Sequence, residues 1–329
     1  MDNIIENNTT LEEGAIPKPP RKKRFELIKN WQAYVMALPA ILIFFLISYL
    51  PLPGIIIAFK DFTLFEGIWD SPWIDPILTN FEFFFLSEYF VKTTVNTVVI
   101  NLLNMFFGTV ISIVCALMLN ELVTLKFKKT YQSVMFLPYF FSVVLLGKLV
   151  TMFTDETKGL FNVIIRALGG ENLNFNAMSG LWVVIVVVVF LWKNVGNSLI
   201  LYLVSINGID ASIYESAEID GAGRMRQIWS ITLPILKPTI IVLTLLSIGR
   251  IFYGDFQLIY AIVGNDVGKL KYTDIIETFL YRSVMEPPGG VPQYAMSTAI
   301  GIYQTVLGLI TIFVSNYIAK KADESYALF

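Results

Sequence analysis

Six long apolar blocks, separated by connectors that hold nearly all of the charge, constrain this chain more than any other feature. They run over Ala33–Phe59, Phe90–Leu119, Tyr131–Phe153, Gly180–Ile206, Thr239–Val263 and Tyr294–Ile318. A hydrocarbon core is crossed by about 20 consecutive apolar residues in helical form, and each block reaches or exceeds that length. With 15% charged residues against about 25% in an ordinary globular chain, a soluble fold is excluded and an all-α, polytopic membrane protein with six transmembrane helices is expected. The run Val183–Phe190 could pass for a strand by composition, but its length and flanks favour helix. Pro39 and the Pro51/Pro53 pair are expected to interrupt the first block.

The basic residues orient the spans. With the N-terminus inside, Lys18, Arg21, Lys22, Lys23, Arg24, Lys29, Lys126, Lys128, Lys129, Arg224, Arg226, Lys237, Lys320 and Lys321 all fall on the cytoplasmic side. Only Lys60, Lys92, Lys158, Arg166, Lys269, Lys271 and Arg282 fall outside, and because basic side chains resist translocation, both termini are expected in the cytoplasm of a cell membrane. The first block is too long for a cleavable signal's apolar region and is read as a retained helix. The expected organisation is a flexible tail at 1–30, a six-helix transmembrane domain at 31–319 with a cytoplasmic loop at 207–238, and a short tail at 320–329. Outside, the connectors Asp61–Tyr89, Thr154–Ser179 and Gly264–Gln293, with Trp69, Pro72, Trp73, Pro76 and Pro287-Pro288, either form a platform for an external partner or only join helices.

Several function classes are excluded early. A formal charge of −2 leaves no basic stripe for nucleic acid. The absence of His and the single Cys115 remove the usual general base, zinc ligands and disulfides. The stretch from Gly264 to Leu270 falls short of a P-loop and lacks the hydroxyl that would hold magnesium, and Gly221-Ala222-Gly223 follows no strand. No catalytic residue, metal or cofactor is assigned to the chain itself.

The cytoplasmic loop carries the most specific pattern. From Tyr214 to Pro238 it reads YESAEIDGAGRMRQIWSITLPILKP. A capping box between Ser212 and Glu215 is expected to start a short helix that stops at Gly221, where a left-handed residue costs little. A second short helix, Arg224–Thr232, is expected to end at Pro234. The stretch resembles the EAA motif of ABC importer permeases: E-A-A, three residues, Gly, nine residues, then I-x-L-P. Here the motif is Glu215-Ser216-Ala217, Gly221, Ile231 and Leu233-Pro234, with Asp220 and Ala222 flanking the glycine and Ser216 as the one departure. The resemblance extends over about 300 residues to the carbohydrate-uptake branch, the maltose-permease-like and LplB-like polysaccharide permeases, through Trp31, Tyr34, Pro39, Tyr49-Leu50-Pro51, Phe59-Lys60-Asp61-Phe62, Trp192, Gly196, Tyr202-Leu203, Ile206 and Ile209.

That resemblance implies a type I ABC importer permease fold and an oligosaccharide as solute. It implies a homologous second permease, a cytoplasmic ATPase dimer that binds ATP and magnesium, and an extracellular solute-binding protein as partners. Glu215 would pair with a basic group of the ATPase, and Gly221 would let the turn seat in its cleft.

Charged groups within spans cost about 2.5–3.5 kcal/mol each and usually face a bundle interior or a water-filled path. Lys148, Lys193, Arg250 and Asp255 are such groups. Ser247, Arg250, Tyr253, Gly254 and Gln257 recur at spacings of three and four, which places them on one helical face of the fifth block, a candidate lining of a translocation path. Trp192, Lys193, Asn194 and Asn197 interrupt the fourth block. Amides, charges and an aromatic face suit sugar hydroxyls and pyranose C–H faces, so Trp192, Lys193, Asn194, Arg250, Tyr253, Asp255 and Gln257 are the expected substrate path. By resemblance, Arg250, Tyr253 and Trp192 to Asn194 fall near positions where the maltose permease contacts sugar. The cations Arg250 and Lys193 raise an acidic oligosaccharide as solute. Ion pairs such as Arg250 or Lys193 with Asp255, fixing helix packing, are the alternative. Ser297, Gly301, Gln304 and Gly308 of the last block are read as helix-packing residues. Other readings are an ion-coupled secondary transporter with Lys193, Arg250 and Asp255 as its relay, a permease of the same class for a non-sugar solute, and a membrane scaffold.

Overall fold

The computed structural model describes residues 31–122, 124–287 and 289–323, so the expected N-terminal tail with its basic residues and the end of the C-terminal tail lie outside the described residues. The chain divides into two compact units, Met1–Gly54 and Ile55–Phe329. In the first, α1 (Trp31–Ser48) is apolar on every side, the pattern of a helix surrounded by lipid, and Pro39 sits inside it without ending it.

The second unit is helical apart from one bridge, Lys60 to Trp73. Its first connector folds into α2 (Gly67–Asp70) and α3 (Thr79–Phe85). A long span, α4 (Glu88–Asn120), is followed by α5 (Leu125–Phe136), α6 (Val143–Thr154), a connector helix α7 (Leu160–Ala167), and a second long span, α8 (Ser179–Asn207). Then come α9 (Ala211–Ile219), α10 (Arg224–Gln227), α11 (Leu233–Ile248), α12 (Phe256–Val263), α13 (Val267–Thr273), α14 (Ile276–Met285) and α15 (Tyr294–Ala322). Five apolar runs among the described residues are long enough to cross a membrane, or six when the bent pair formed by α5 and α6 counts as one.

Two expected spans are not straight helices. The third, taken as continuous over Tyr131–Phe153, turns by 92° between Phe140 and Val143. Pro138 sits in a 3-10 turn there, removing a donor from the ladder, and Lys193 of α8 donates through Nζ to the freed carbonyls of Tyr139 and Phe141, both at 2.9 Å. The fifth was expected over Thr239–Val263, but its helix starts earlier and stops at Ile248, and the chain leaves helical form until Phe256.

The second loop helix likewise does not end at Pro234. It runs on from α10 through a π-helical turn, Ile228–Thr232, into α11, so that Pro234 falls in the first turn of α11, where a missing N–H is tolerated.

Packing centres on α4 against α8. Lipid is as apolar as leucine, so close backbone approach matters more here than burial from water. Gly196 of α8 shows it: a Cβ there would lie 2.0 Å from the Met135 carbonyl oxygen of α5. Two apolar cores form along this pair. One gathers Ile100, Leu146, Trp182, Val186, Leu258 and Ile262, and the other gathers Ala116, Leu119, Leu199, Leu203 and Leu236. Between them the same two helices carry amides, which is where the chain leaves a cavity.

The connectors expected to lie outside are folded rather than slack. Lys60 is buried, donating to the Trp69 carbonyl at 2.8 Å with its ammonium over the Trp73 ring, and Asn80 bonds the carbonyls of Ala58 and Lys60. Asn162 donates to the Glu156 and Leu173 carbonyls and accepts from the Leu173 N–H, closing the second connector.

Candidate functional site

Midway along α4 and α8, a cavity of about 880 Å³ is bounded by those helices, the end of α11 and the non-helical linker Gly249–Asp255. Its polar lining is rich in amides: Asn101, Asn104, Asn194, Asn197 and Gln257. Ser198, Ser247, Tyr202 and Tyr253 add hydroxyls, and Arg250 is the only basic residue of the lining. Irregular backbone at membrane depth is stable only where protein or water meets its polar groups. Here Asn101 donates to the carbonyls of Ile251 at 2.8 Å and Tyr253 at 3.1 Å. Asn104 keeps a buried oxygen without a partner beside the cavity.

The structure brings Asn194, Arg250, Tyr253, Asp255 and Gln257 to this one cavity, although not as a helical face: Arg250, Tyr253, Gly254 and Asp255 lie on the linker, beyond the end of the helix. The expected face required a helix that the chain does not form. Trp192 and Lys193 do not line the cavity. Trp192 packs against Phe141, with ring centroids 5.8 Å apart, and Lys193 is committed to the bent span. Neither expected ion pair of Asp255 forms, because its carboxylate accepts from the Leu258 N–H at 3.1 Å and caps α12. A relay from Lys193 through Arg250 to Asp255 is therefore not assembled. The Arg250 guanidinium is exposed to the cavity and makes no hydrogen bond or ion pair to any described residue.

Asn101, Asn104 and Ser198 lie outside the expected substrate path, which follows the residues around the span charges Lys193, Arg250 and Asp255. Asn101 and Asn104, three apart in an aliphatic run, were the available signal.

The second feature is the projecting loop. Its N-cap is Asp210, which accepts from the Ser212 N–H at 2.9 Å, and not the expected Ser212. Ser212 lies inside α9, and Glu215, the expected partner of its capping box, is left free. Gly221 adopts φ +78, and the bonds Gly221 N–H to Glu218 O and Ala222 N–H to Ala217 O, at 3.0 and 2.8 Å, close a Schellman turn. Gln227 donates to the Ala222 carbonyl at 3.0 Å, Tyr214 and Thr232 share a hydroxyl bond at 2.9 Å, and Arg224 pairs with Glu121 of α4 at 2.9 Å. The loop is thus rigid and anchored. No residue of α9 is buried; Glu215, Ser216, Asp220 and Gly221 are exposed, Ala217 and Ala222 half-buried, and Ile219, Met225 and Trp229 present apolar surface. Glu215 bonds no described residue of its own chain.

Hydrogen bonds from the Ser212 backbone N–H and from its hydroxyl hold the Asp210 carboxyl below its ordinary value. A lowered native value means that the cap's contribution is complete above the ordinary carboxylate range and is lost as pH falls through the depressed value. Protection of the α9 amides relative to their intrinsic exchange rates should therefore be flat near neutral pH and fall on acidification, and Asp210→Ala should remove that fall.

A broken-helix cavity within the helical bundle, together with a rigid loop offering a free carboxylate, suits a transport subunit. The chain belongs to the family described as "Binding-protein-dependent transport system inner membrane component", which it matches over residues 108–324. It is accordingly an all-α, multi-pass ABC importer permease, a transport subunit and not an enzyme. Protein LplB of Bacillus subtilis (strain 168) is 34% identical over 293 residues, 88% of this chain and 89% of that protein. The polygalacturonan/rhamnogalacturonan transport system permease protein YteP of the same bacterium is 34% identical over 314 residues, 95% of each. The fold matches a chain in the crystal structure of a bacterial ABC transporter involved in the import of the acidic polysaccharide alginate, with a TM-score of 0.79 at 30% identity, covering 91% of this chain and 98% of that one. A second structure of an alginate ABC transporter, in complex with an alginate pentasaccharide-bound periplasmic protein, matches with a TM-score of 0.78.

Proposed function

We propose that this permease passes an acidic oligosaccharide through the cavity between α4, α8 and the 249–255 linker. The observation that carries the reading is Arg250: a guanidinium among amides and hydroxyls with no ion-pair partner among the described residues, while Asp255, the acid of that lining, caps α12 and forms no ion pair with it. A planar fork of donors matches a uronate carboxylate, and the amides match ring hydroxyls. The names of YteP and of the alginate importer, both concerned with polyuronates, support the same solute class.

In this reading a second, homologous permease completes the path, and an extracellular binding protein delivers solute to the folded connectors. Two ATPase chains, which bind ATP and magnesium, engage the 211–223 loop through Glu215, Ser216, Ala217, Asp220, Gly221 and Ala222. Both termini then lie in the cytoplasm, on the side of that loop. In proteoliposomes carrying the assembled importer and its binding protein, ATP-dependent uptake of oligogalacturonates should exceed that of neutral oligosaccharides of equal length. Uptake of neutral sugars alone would refute the assignment.

A further inference from the structure

The linker Gly249–Asp255 forfeits helical hydrogen bonds at the cavity wall, and side chains of three elements replace them. Asn101 of α4 takes the Ile251 and Tyr253 carbonyls. Gln304 of α15 takes the Phe252 carbonyl and also donates to Glu277 at 2.6 Å. Glu277 of α14 accepts from the Gly254 N–H at 2.8 Å. Glu277 thus joins the linker to another clamp residue, and its loss would strand two donors at once.

Two further observations set Glu277 apart from ordinary packing. Its second oxygen, Oε2, is buried without a hydrogen-bond partner, a costly arrangement for a carboxylate. A Cβ on Gly254 would come within 3.1 Å of that same oxygen and 2.5 Å of Ile275 Cδ1, so the linker is pressed against the α14 start without clearance. We infer that Glu277 is a positioning residue of the transport path: it holds the linker in the register that turns Arg250 and Tyr253 toward the cavity, and so sets which oligosaccharides the cavity accepts. This rests on the cavity being the solute path. Gln304, read from sequence as a packing residue, belongs to the same clamp.

The test uses the full importer. Cys115 is the only cysteine, so Cys115→Ser gives a cysteine-free chain into which Tyr253→Cys places one reporter in the cavity wall. Glu277→Ala should change the rate at which a charged thiol reagent labels that cysteine by about tenfold, as expected for losing the acceptor of two hydrogen bonds. With Tyr253 intact, it should lower the acidic-over-neutral uptake ratio by a similar factor, with assembly and basal ATP hydrolysis unchanged. Glu277→Gln, which keeps an acceptor oxygen, should restore both within about threefold. If Glu277→Ala fails to assemble, Gln304→Leu reads the same clamp from its other side and should shift both measures alike. Labelling and selectivity that match the unmodified chain in the Ala or Leu variant would overturn the inference. Arg250→Ala separates the two readings. If it alters the ratio while Glu277→Ala does not, only the positioning role fails, and if it leaves the ratio unchanged, the cavity assignment fails.

Discussion

Glu215→Ala is expected to cut ATP-driven uptake by the assembled importer by at least about tenfold while leaving the permease itself as stable as before. The two halves of that expectation have different sources. The Glu215 side chain is exposed and bonds none of the described residues, and surface substitutions of that kind change stability by no more than about 0.5 kcal/mol. Any large effect must therefore come from a partner. Truncating one member of a hydrogen-bonded charge pair at an interface costs about 2–5 kcal/mol, more than a factor of ten in occupancy. The loop around Glu215 is built to present it: Asp210 caps one end of α9, the Schellman turn at Gly221 closes the other, and Arg224 ties the next helix to Glu121. Glu215→Gln, equal in shape and without charge, should fall between the two. The checks are co-purification of the ATPase and uptake per ATP hydrolysed, and normal values of both in Glu215→Ala would remove the coupling role from this loop.

Arg250→Ala is expected to raise the KM for an acidic oligosaccharide by about 10- to 100-fold, the range that follows from losing charge-assisted hydrogen bonds of roughly 1.5–3 kcal/mol. A neutral oligosaccharide of the same length should be affected by less than about threefold, since the surrounding amides and hydroxyls remain. Arg250→Lys keeps the charge and loses the planar fork, so it should recover part of the acidic preference. Folding should be insensitive to both changes, because no described residue uses the Arg250 side chain as a partner. Kinetics of uptake against both solutes read the difference directly.

What the sequence made legible, and what it hid, follows from how local each feature is. The apolar blocks report membrane crossing because each is complete within its own run of residues, and the motif at Glu215 to Pro234 reports its turn because Gly221 and its neighbours close it without outside help. The breaks in the third and fifth spans are not local. Pro138 marks a place where a helix can bend, but whether it does depends on Lys193, 55 positions away in sequence, reaching the freed carbonyls. The fifth span carries no proline between Thr239 and Val263. Its break is supported by Asn101, Glu277 and Gln304 from three other elements, none of which a helical periodicity can announce. For the same reason Lys193, read as a cavity group from its position in a span, serves the bend, while Asn194, one residue on, lines the cavity. Charge within a span signals that a group must be satisfied. Which neighbour satisfies it is decided by tertiary packing.

The cavity assignment is tested most directly by photo-crosslinking from two positions on α8 during turnover. A photoreactive residue replacing Asn197, which lines the cavity, and one replacing Trp192, which packs against Phe141 outside it, differ by little more than one helical turn. With a labelled acidic oligosaccharide, binding protein and ATP present, label should attach at position 197 and not at 192. Label at 192 alone, or at neither position while uptake proceeds, would contradict a path through this cavity.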